Sequence, residues 1–123
     1  MVRKRILLVD DSETSLLMAR MILSKANYDI LVAKDGQQGV DTATRERPDL
    51  VLLDVVMPRM NGFEACVALK ARQETETIPV IMVTTRGEGA SVETGFASGA
   101  ADYVTKPVNG LELLTKVRNI LGD

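Results

Sequence analysis

Five short strand-like segments, separated by helical segments, constrain the fold of this chain more than any other feature. Residues 6–9 and 50–53 are continuous apolar runs that lack the alternation expected of a strand with one face in water. Such runs are typical of strands buried on both faces. We predict the other three strands at residues 28–33, 79–83 and 102–104, and a turn at residues 105–107.

Capping residues follow most of these strands. The predicted N-caps are Ser12, Asp35, Asn61 and Asn109, whose side-chain oxygens can accept from N–H groups of a first helical turn. We also predict a helix over residues 86–99, but it contains four glycines. Since each interior glycine costs a helix about 1 kcal/mol relative to alanine, we expect this helix to be the least stable one.

Strands and helices therefore alternate five times, at intervals of about twenty residues. This order predicts parallel strands joined by right-handed helical crossovers, with helices on both faces of one sheet. The 123 residues suffice for one domain with an adequate core.

The composition excludes several functions. A net charge of −2 gives no support for binding nucleic acid or an anionic membrane surface. The chain has no histidine, which removes the usual general base and the Ser-His and Cys-His pairs. Its single cysteine, Cys66, suits a reducing compartment, and we predict a buried, inert thiol. Without a visible signal peptide or membrane-length apolar run, we expect a cytoplasmic protein.

Polar residues collect where the predicted strands end. Asp10 and Asp11 follow the first strand, Asp54 the third, Thr84 the fourth and Lys106 the fifth. The carboxyl ends of parallel strands lie at one edge of a sheet, and ligands bind there in open α/β folds. We therefore expect these side chains to converge.

Three converging carboxylates repel one another and require compensating positive charge. Lys106 can offset one of them, and a divalent cation can offset the others. Oxygen ligands without histidine or cysteine favour Mg²⁺ or Mn²⁺. One carboxylate would remain free to act as a nucleophile and form an acyl phosphate. The alternative is that the three aspartates merely cap neighbouring helices.

The motifs LLVDDS (residues 7–12), LLDVVMPRMNG (52–62), VTT (83–85) and YVTKP (103–107) occur in this order. With this order and spacing the chain resembles the receiver domain of bacterial two-component response regulators, especially the single-domain, chemotaxis-type members. The resemblance implies one receiver domain over residues 1–123. It implies a doubly wound, flavodoxin-like (βα)5 fold with strand order 2-1-3-4-5.

The resemblance also implies a role for each residue at the strand ends. Asp54 would be the phosphoacceptor and a ligand of Mg²⁺, and Asp11 would bind Mg²⁺ directly. Asp10 would act through water or as a second ligand. The backbone carbonyl of Val56 would complete the protein ligands, and Lys106 would pair with the phosphoryl group.

Further implied roles concern the switch. Thr84 would hydrogen-bond the phosphoryl group, and Tyr103 would turn inward when Thr84 moves, although Tyr103 could equally be a half-buried strand aromatic. The Lys106-Pro107 peptide bond is expected to be cis. Val56 and Arg86 would tune the lifetime of the acyl phosphate, while the alternative for Arg86 is a solvated loop charge.

We expect the chain to act as a binding module that phosphorylation controls. Its only catalysis would be self-phosphorylation and autodephosphorylation at Asp54. The phosphodonor would be a histidine kinase or phosphotransfer protein. We expect output through a downstream protein, bound at the face of the fourth helix, fifth strand and fifth helix, and a monomer or weak dimer that binds neither nucleic acid nor membrane.

Two alternatives remain. One is a phosphatase of the haloacid-dehalogenase type, although the Asp-x-Asp that such enzymes need after the first strand is replaced by Asp10-Asp11-Ser12. The other is a scaffold that keeps the fold but works without phosphorylation. A dinucleotide-binding fold is excluded, because no Gly-x-Gly-x-x-Gly follows the first strand.

Overall fold

The computed structural model describes residues 3–57, 59–85 and 96–122. Within these ranges the chain alternates strands and helices as the sequence predicts. The elements are β1 (Arg5–Val9), α1 (Glu13–Ser24), β2 (Asp29–Ala33), α2 (Gly36–Glu46), β3 (Leu50–Asp54), α3 (Gly62–Lys70), β4 (Val80–Thr85), β5 (Asp102–Lys106) and α4 (Gly110–Leu121).

The five strands form one parallel sheet in the order β2-β1-β3-β4-β5, which confirms the predicted topology. β3 lies at the centre, with Leu52 paired to Leu8 of β1 and to Ile81 of β4. All five residues of β3 are buried. Their continuous apolarity thus reflects a strand covered by helices on both faces.

Two hydrophobic clusters flank the sheet, because alternate side chains of each strand point to opposite faces. One face packs Leu7, Leu53 and their neighbours against α2 and α3. The other packs Ile6, Leu52 and their neighbours against α1 and α4. Each fully buried leucine or valine contributes about 1.5–3 kcal/mol to folding, and both clusters combine strand residues with residues of the covering helices.

The four predicted caps begin α1, α2, α3 and α4. The side chains of Ser12, Asp35, Asn61 and Asn109 each accept a hydrogen bond from a first-turn N–H. Asn61 and Glu64 form a reciprocal capping box. Cys66 is fully buried within α3, as predicted. None of the helices described here has the length and hydropathy needed to cross a bilayer.

Two strand ends were predicted wrongly. β4 extends through Thr84 and Thr85, and β5 extends through Thr105 and Lys106, where the sequence suggested a turn. Thr84 pairs with Thr105, and Thr85 pairs with Lys106. Backbone pairing continues past the last apolar side chain, because the hydrogen bonds of a ladder do not depend on side-chain polarity.

Only some of the apolar residues of α1 are buried in the core. Leu16 and Leu23 are buried, whereas Leu17, Met18 and Met21 are 58%, 46% and 55% exposed. The predicted glycine-rich helix falls mainly on residues 86–95, which lie outside the described ranges.

Gly39 of α2 packs directly against β1. A Cβ at this position would lie 2.8 and 2.9 Å from the two γ carbons of Val9, whose side chain is buried. We expect Gly39→Ala to lower the free energy of unfolding by about 1 kcal/mol, because overpacking outweighs the helix propensity of alanine. Chemical denaturation measures this change.

The control is the same substitution in a Val9→Ala background. There the clash is absent, so Gly39→Ala should instead raise the free energy of unfolding by up to about 1 kcal/mol. A destabilisation of equal size in both backgrounds would contradict the proposed contact.

Candidate functional site

Asp10, Asp54 and Lys106 come together at the carboxyl edge of the sheet. Asp10 directly follows β1, Asp54 ends the adjacent β3, and Lys106 ends β5. The two aspartates are 7% and 6% exposed. Carboxylates are seldom buried this deeply without a partner. The groups that balance their negative charge therefore decide what the site can do.

Asp11 completes a cluster of three carboxylates. One oxygen from each of Asp10, Asp11 and Asp54 lies within 4.8 Å of the others. Asp11 is exposed, so one side of the cluster opens to solvent. The backbone N–H of Ser12 donates to Asp10 Oδ1 at 2.9 Å, which orients that carboxylate. An all-oxygen donor set with high negative charge fits Mg²⁺ or Mn²⁺ rather than a softer metal.

Lys106 bridges the two buried carboxylates. Its Nζ lies 3.1 Å from Asp10 Oδ2 and 3.4 Å from Asp54 Oδ1. Burial lowers the pKa of Lys106, but the hydrogen bond to Asp10 and the charge of Asp54 outweigh burial, so its pKa is raised. The ammonium is therefore charged at neutral pH and remains positioned beside Asp54.

Asp54 is the carboxylate with the most perturbed proton affinity. Burial, and then the negative charge of Asp10, raise the pKa of Asp54 to about 6, although Lys106 opposes both effects. One ammonium does not fully compensate two buried carboxylates and their exposed neighbour. The site thus retains a deficit of positive charge.

The loop after β3 approaches the backbone of Asp54 closely. A Cβ at Gly62 would lie 2.2 Å from the Asp54 carbonyl oxygen, and the Gly62 N–H donates to the Val55 carbonyl. Only glycine fits there without moving Asp54. The sequence alone did not indicate this role, although a glycine directly follows the Asn61 cap. Val56 is 59% exposed on the same loop.

The remaining predicted residues occupy different places. Thr84 is buried and follows Val83, the β4 residue paired with Asp54. Tyr103 lies three residues before Lys106 on β5 and is half-buried, outside the charged cluster. The Lys106-Pro107 bond is cis, as predicted. Arg86 falls outside the described residues.

Comparison with known families matches residues 6–118 to the response regulator receiver domain. The chain belongs to this family. Receiver domains act mainly as phosphorylation-controlled switches in two-component signalling. They bind Mg²⁺ in the active site, and they interact with histidine kinases or phosphotransfer proteins. The cluster of Asp10, Asp11 and Asp54 lies where such a site is expected.

Similar proteins include single-domain and longer regulators. The chain is 44% identical to protein PilH of Pseudomonas aeruginosa over 117 residues, covering 95% of this chain and 97% of PilH. Three further relatives are longer, and the chain spans 49%, 48% and 26% of their lengths. The output functions of those longer proteins are therefore not carried over.

Two solved structures illustrate the likeness. Chemotaxis protein CheY4 of Vibrio cholerae superposes with a TM-score of 0.90 at 32% identity, covering 98% of this chain and all of that one. The receiver domain of a Pseudomonas aeruginosa sensor histidine kinase gives a TM-score of 0.91 at 27% identity, with 99% and 100% coverage. That domain holds a magnesium ion in its active-site cleft.

We expect Mg²⁺ to stabilise this receiver domain by binding the carboxylate cluster. At a Mg²⁺ concentration ten times the Kd, the free energy of unfolding should rise by about 1.4 kcal/mol. Asp11→Asn should reduce this gain, because it removes one charged ligand. Thermal unfolding with and without Mg²⁺ measures the gain. Asp41→Asn, on the exposed surface of α2, should keep it, and an equal loss in both variants would contradict the site.

The raised pKa of Asp54 predicts a stability that depends on pH. Because ionised Asp54 is unfavourable in the folded state, its cost is present above pH 6 and disappears as pH falls towards 3.8. In metal-free buffer, Asp54→Asn should raise the free energy of unfolding by about 2 kcal/mol at pH 7.5. Denaturation at pH 7.5, which is above this window, and at pH 4.5, which is inside it, should show the gain shrink at the lower pH. A gain independent of pH would contradict the assignment.

Proposed function

We propose that this receiver domain is a signalling switch that accepts a phosphoryl group from a partner's phosphohistidine onto Asp54. The observation that carries the proposal is the placement of Asp54 beside Lys106 and within the cluster of three carboxylates. These 123 residues contain no histidine, so the donor phosphohistidine lies outside them.

The transfer uses the carboxylate of Asp54 as nucleophile. One Asp54 oxygen attacks phosphorus while the phosphorus–nitrogen bond of the donor breaks, and the electron pair leaves with the imidazole nitrogen. Lys106 lies within ion-pair distance of Asp54 and can pair with the charged phosphoryl oxygens. Mg²⁺, held by Asp10, Asp11, Asp54 and the Val56 carbonyl, would neutralise further charge in the transition state.

The charge deficit of the site supports this role. Asp54 is poorly compensated by Lys106 alone, so the cluster attracts a divalent cation before a phosphoryl group arrives. The acyl phosphate then replaces one carboxylate charge by a larger group with more acceptor oxygens. Those oxygens require new donors from the protein.

Thr84 is the proposed donor from β4. Thr84 follows Val83, the residue paired with Asp54, and its hydroxyl would rotate or move towards β3 to donate to a phosphoryl oxygen on Asp54. This movement would free space beside β5, and Tyr103 would turn inward to fill it. The charge change at Asp54 would thereby alter the surface of β5 and its neighbouring helices.

We propose that the altered surface binds the output partner. It comprises β5, α4 and the segment that precedes β5. Val56 and Arg86 would tune how long the acyl phosphate lasts, and the 59% exposure of Val56 supports its contact with incoming water. An apolar side chain there offers no hydrogen bond to a hydrolytic water.

The proposal predicts that a small-molecule phosphodonor with Mg²⁺ labels Asp54. Intact-mass measurement should show one phosphoryl group on the wild type and none on Asp54→Asn, because asparagine lacks the nucleophilic carboxylate. Asp41→Asn is the matched control and should be labelled like the wild type. Equal labelling of Asp54→Asn would refute the assignment of the phosphoacceptor.

A further inference from the structure

Lys116 of α4 makes three contacts with the Asp102-Tyr103 dipeptide of β5. Its Nζ lies 4.6 Å from the centroid of the Tyr103 ring. The same ammonium donates a hydrogen bond to the Tyr103 backbone carbonyl and lies 3.4 Å from Asp102 Oδ1. Lys116 lies thirteen residues beyond Tyr103, and the sequence alone gave no sign of these contacts.

Two of these contacts hold the ammonium independently of the tyrosine ring. β5 is an outer strand of the sheet, so the Tyr103 carbonyl that accepts from Lys116 needs a partner from outside the ladder. The Asp102 carboxylate also accepts from the Tyr103 N–H at 2.8 Å, which fixes it beside the same peptide. The ammonium would therefore stay in place if the ring turned away.

In the orientation that the structure shows, the Tyr103 ring also contacts Phe96. Phe96 meets the Tyr103 ring edge to face, with centroids 6.0 Å apart and ring planes at 88°. Lys116 and Asp102 have side chains that are only 23% and 32% exposed, so water screens the charge incompletely. An inward turn of Tyr103 moves the ring off the ammonium and forfeits the cation–π attraction.

We propose that Lys116 is a positioning residue that holds Tyr103 in its present orientation and thereby opposes activation of the switch. This inference rests on the proposed function, because it assumes that Tyr103 turns inward on activation. An interaction made in only one of two states shifts the equilibrium between them. A partly exposed cation–π contact corresponds to a change of about two- to fivefold in the equilibrium constant between the two orientations of Tyr103.

The test follows the two tyrosines of the chain by fluorine NMR after incorporation of 3-fluorotyrosine. Tyr28 is buried and serves as the internal reference, while Tyr103 reports its ring environment. Beryllofluoride with Mg²⁺ serves as the phosphoryl mimic. In Lys116→Met, the beryllofluoride concentration that half-converts the Tyr103 signal should fall by about two- to fivefold. Without beryllofluoride, the Tyr103 signal should already lie closer to its activated position.

Three variants separate this inference from a general effect of charge. Lys116→Arg keeps a cation over the ring and should retain the wild-type midpoint. Lys25→Met removes the same charge from the exposed end of α1 and should also leave the midpoint unchanged. Asp102→Asn weakens the hold on the ammonium while preserving the ring contact, so its midpoint should fall by less. Asp102→Asn tests the inference if Lys116→Met does not fold.

Each outcome decides a different point. A wild-type Tyr103 signal that ignores beryllofluoride would refute the switch and this inference together. A responsive wild type with an unchanged or higher midpoint in Lys116→Met would overturn the role of Lys116 alone. A lower beryllofluoride midpoint in Lys116→Arg would also overturn the role of Lys116, because a cation over the ring would then not oppose activation.

Discussion

The contact of the Lys106 ammonium with the carboxylates of Asp10 and Asp54 is the interaction on which the site depends. Neighbouring strands are about 4.8 Å apart, and Lys106 ends β5, two strands away from β3. Its long side chain crosses the end of β4 to reach both carboxylates. Without this cation, two buried aspartates would face each other with only the exposed Asp11 beside them.

The two-sided burial of the sheet explains why this chemistry occurs at its edge. Helices cover both faces, so charged groups cannot be placed along the strands without losing hydration. The carboxyl ends of the strands are the positions where buried backbone meets solvent. At this edge Asp54 is buried, which raises its pKa, whereas Asp11 is exposed and leaves one side of the site open to solvent.

Lys106 neutralises the negative charge at this edge only in part, and the remaining negative charge suits the proposed function. A fully paired Asp54 would attract a divalent cation less strongly. Lys106 also ends the strand that carries Tyr103, so under the proposed function a change of charge at Asp54 would act on β5 through Lys106. At the outer edge of β5, Lys116 holds the other side of the same segment.

The sequence by itself determined the architecture and most of the site. Continuous apolar runs specify strands buried on both faces, and cap residues mark the helix starts. The order of polar residues after the strands placed Asp10, Asp11, Asp54 and Lys106 at one edge. These features are local, so they can be read from neighbouring residues.

Only the tertiary structure decided the rest. The ends of β4 and β5 depend on backbone pairing with another strand, which leaves no mark in side-chain polarity. The tight approach of Gly62 to Asp54 depends on how the loop after β3 folds back, and the hold of Lys116 on Tyr103 depends on how α4 packs against β5. Such contacts arise from packing of the whole chain, and no local pattern encodes them.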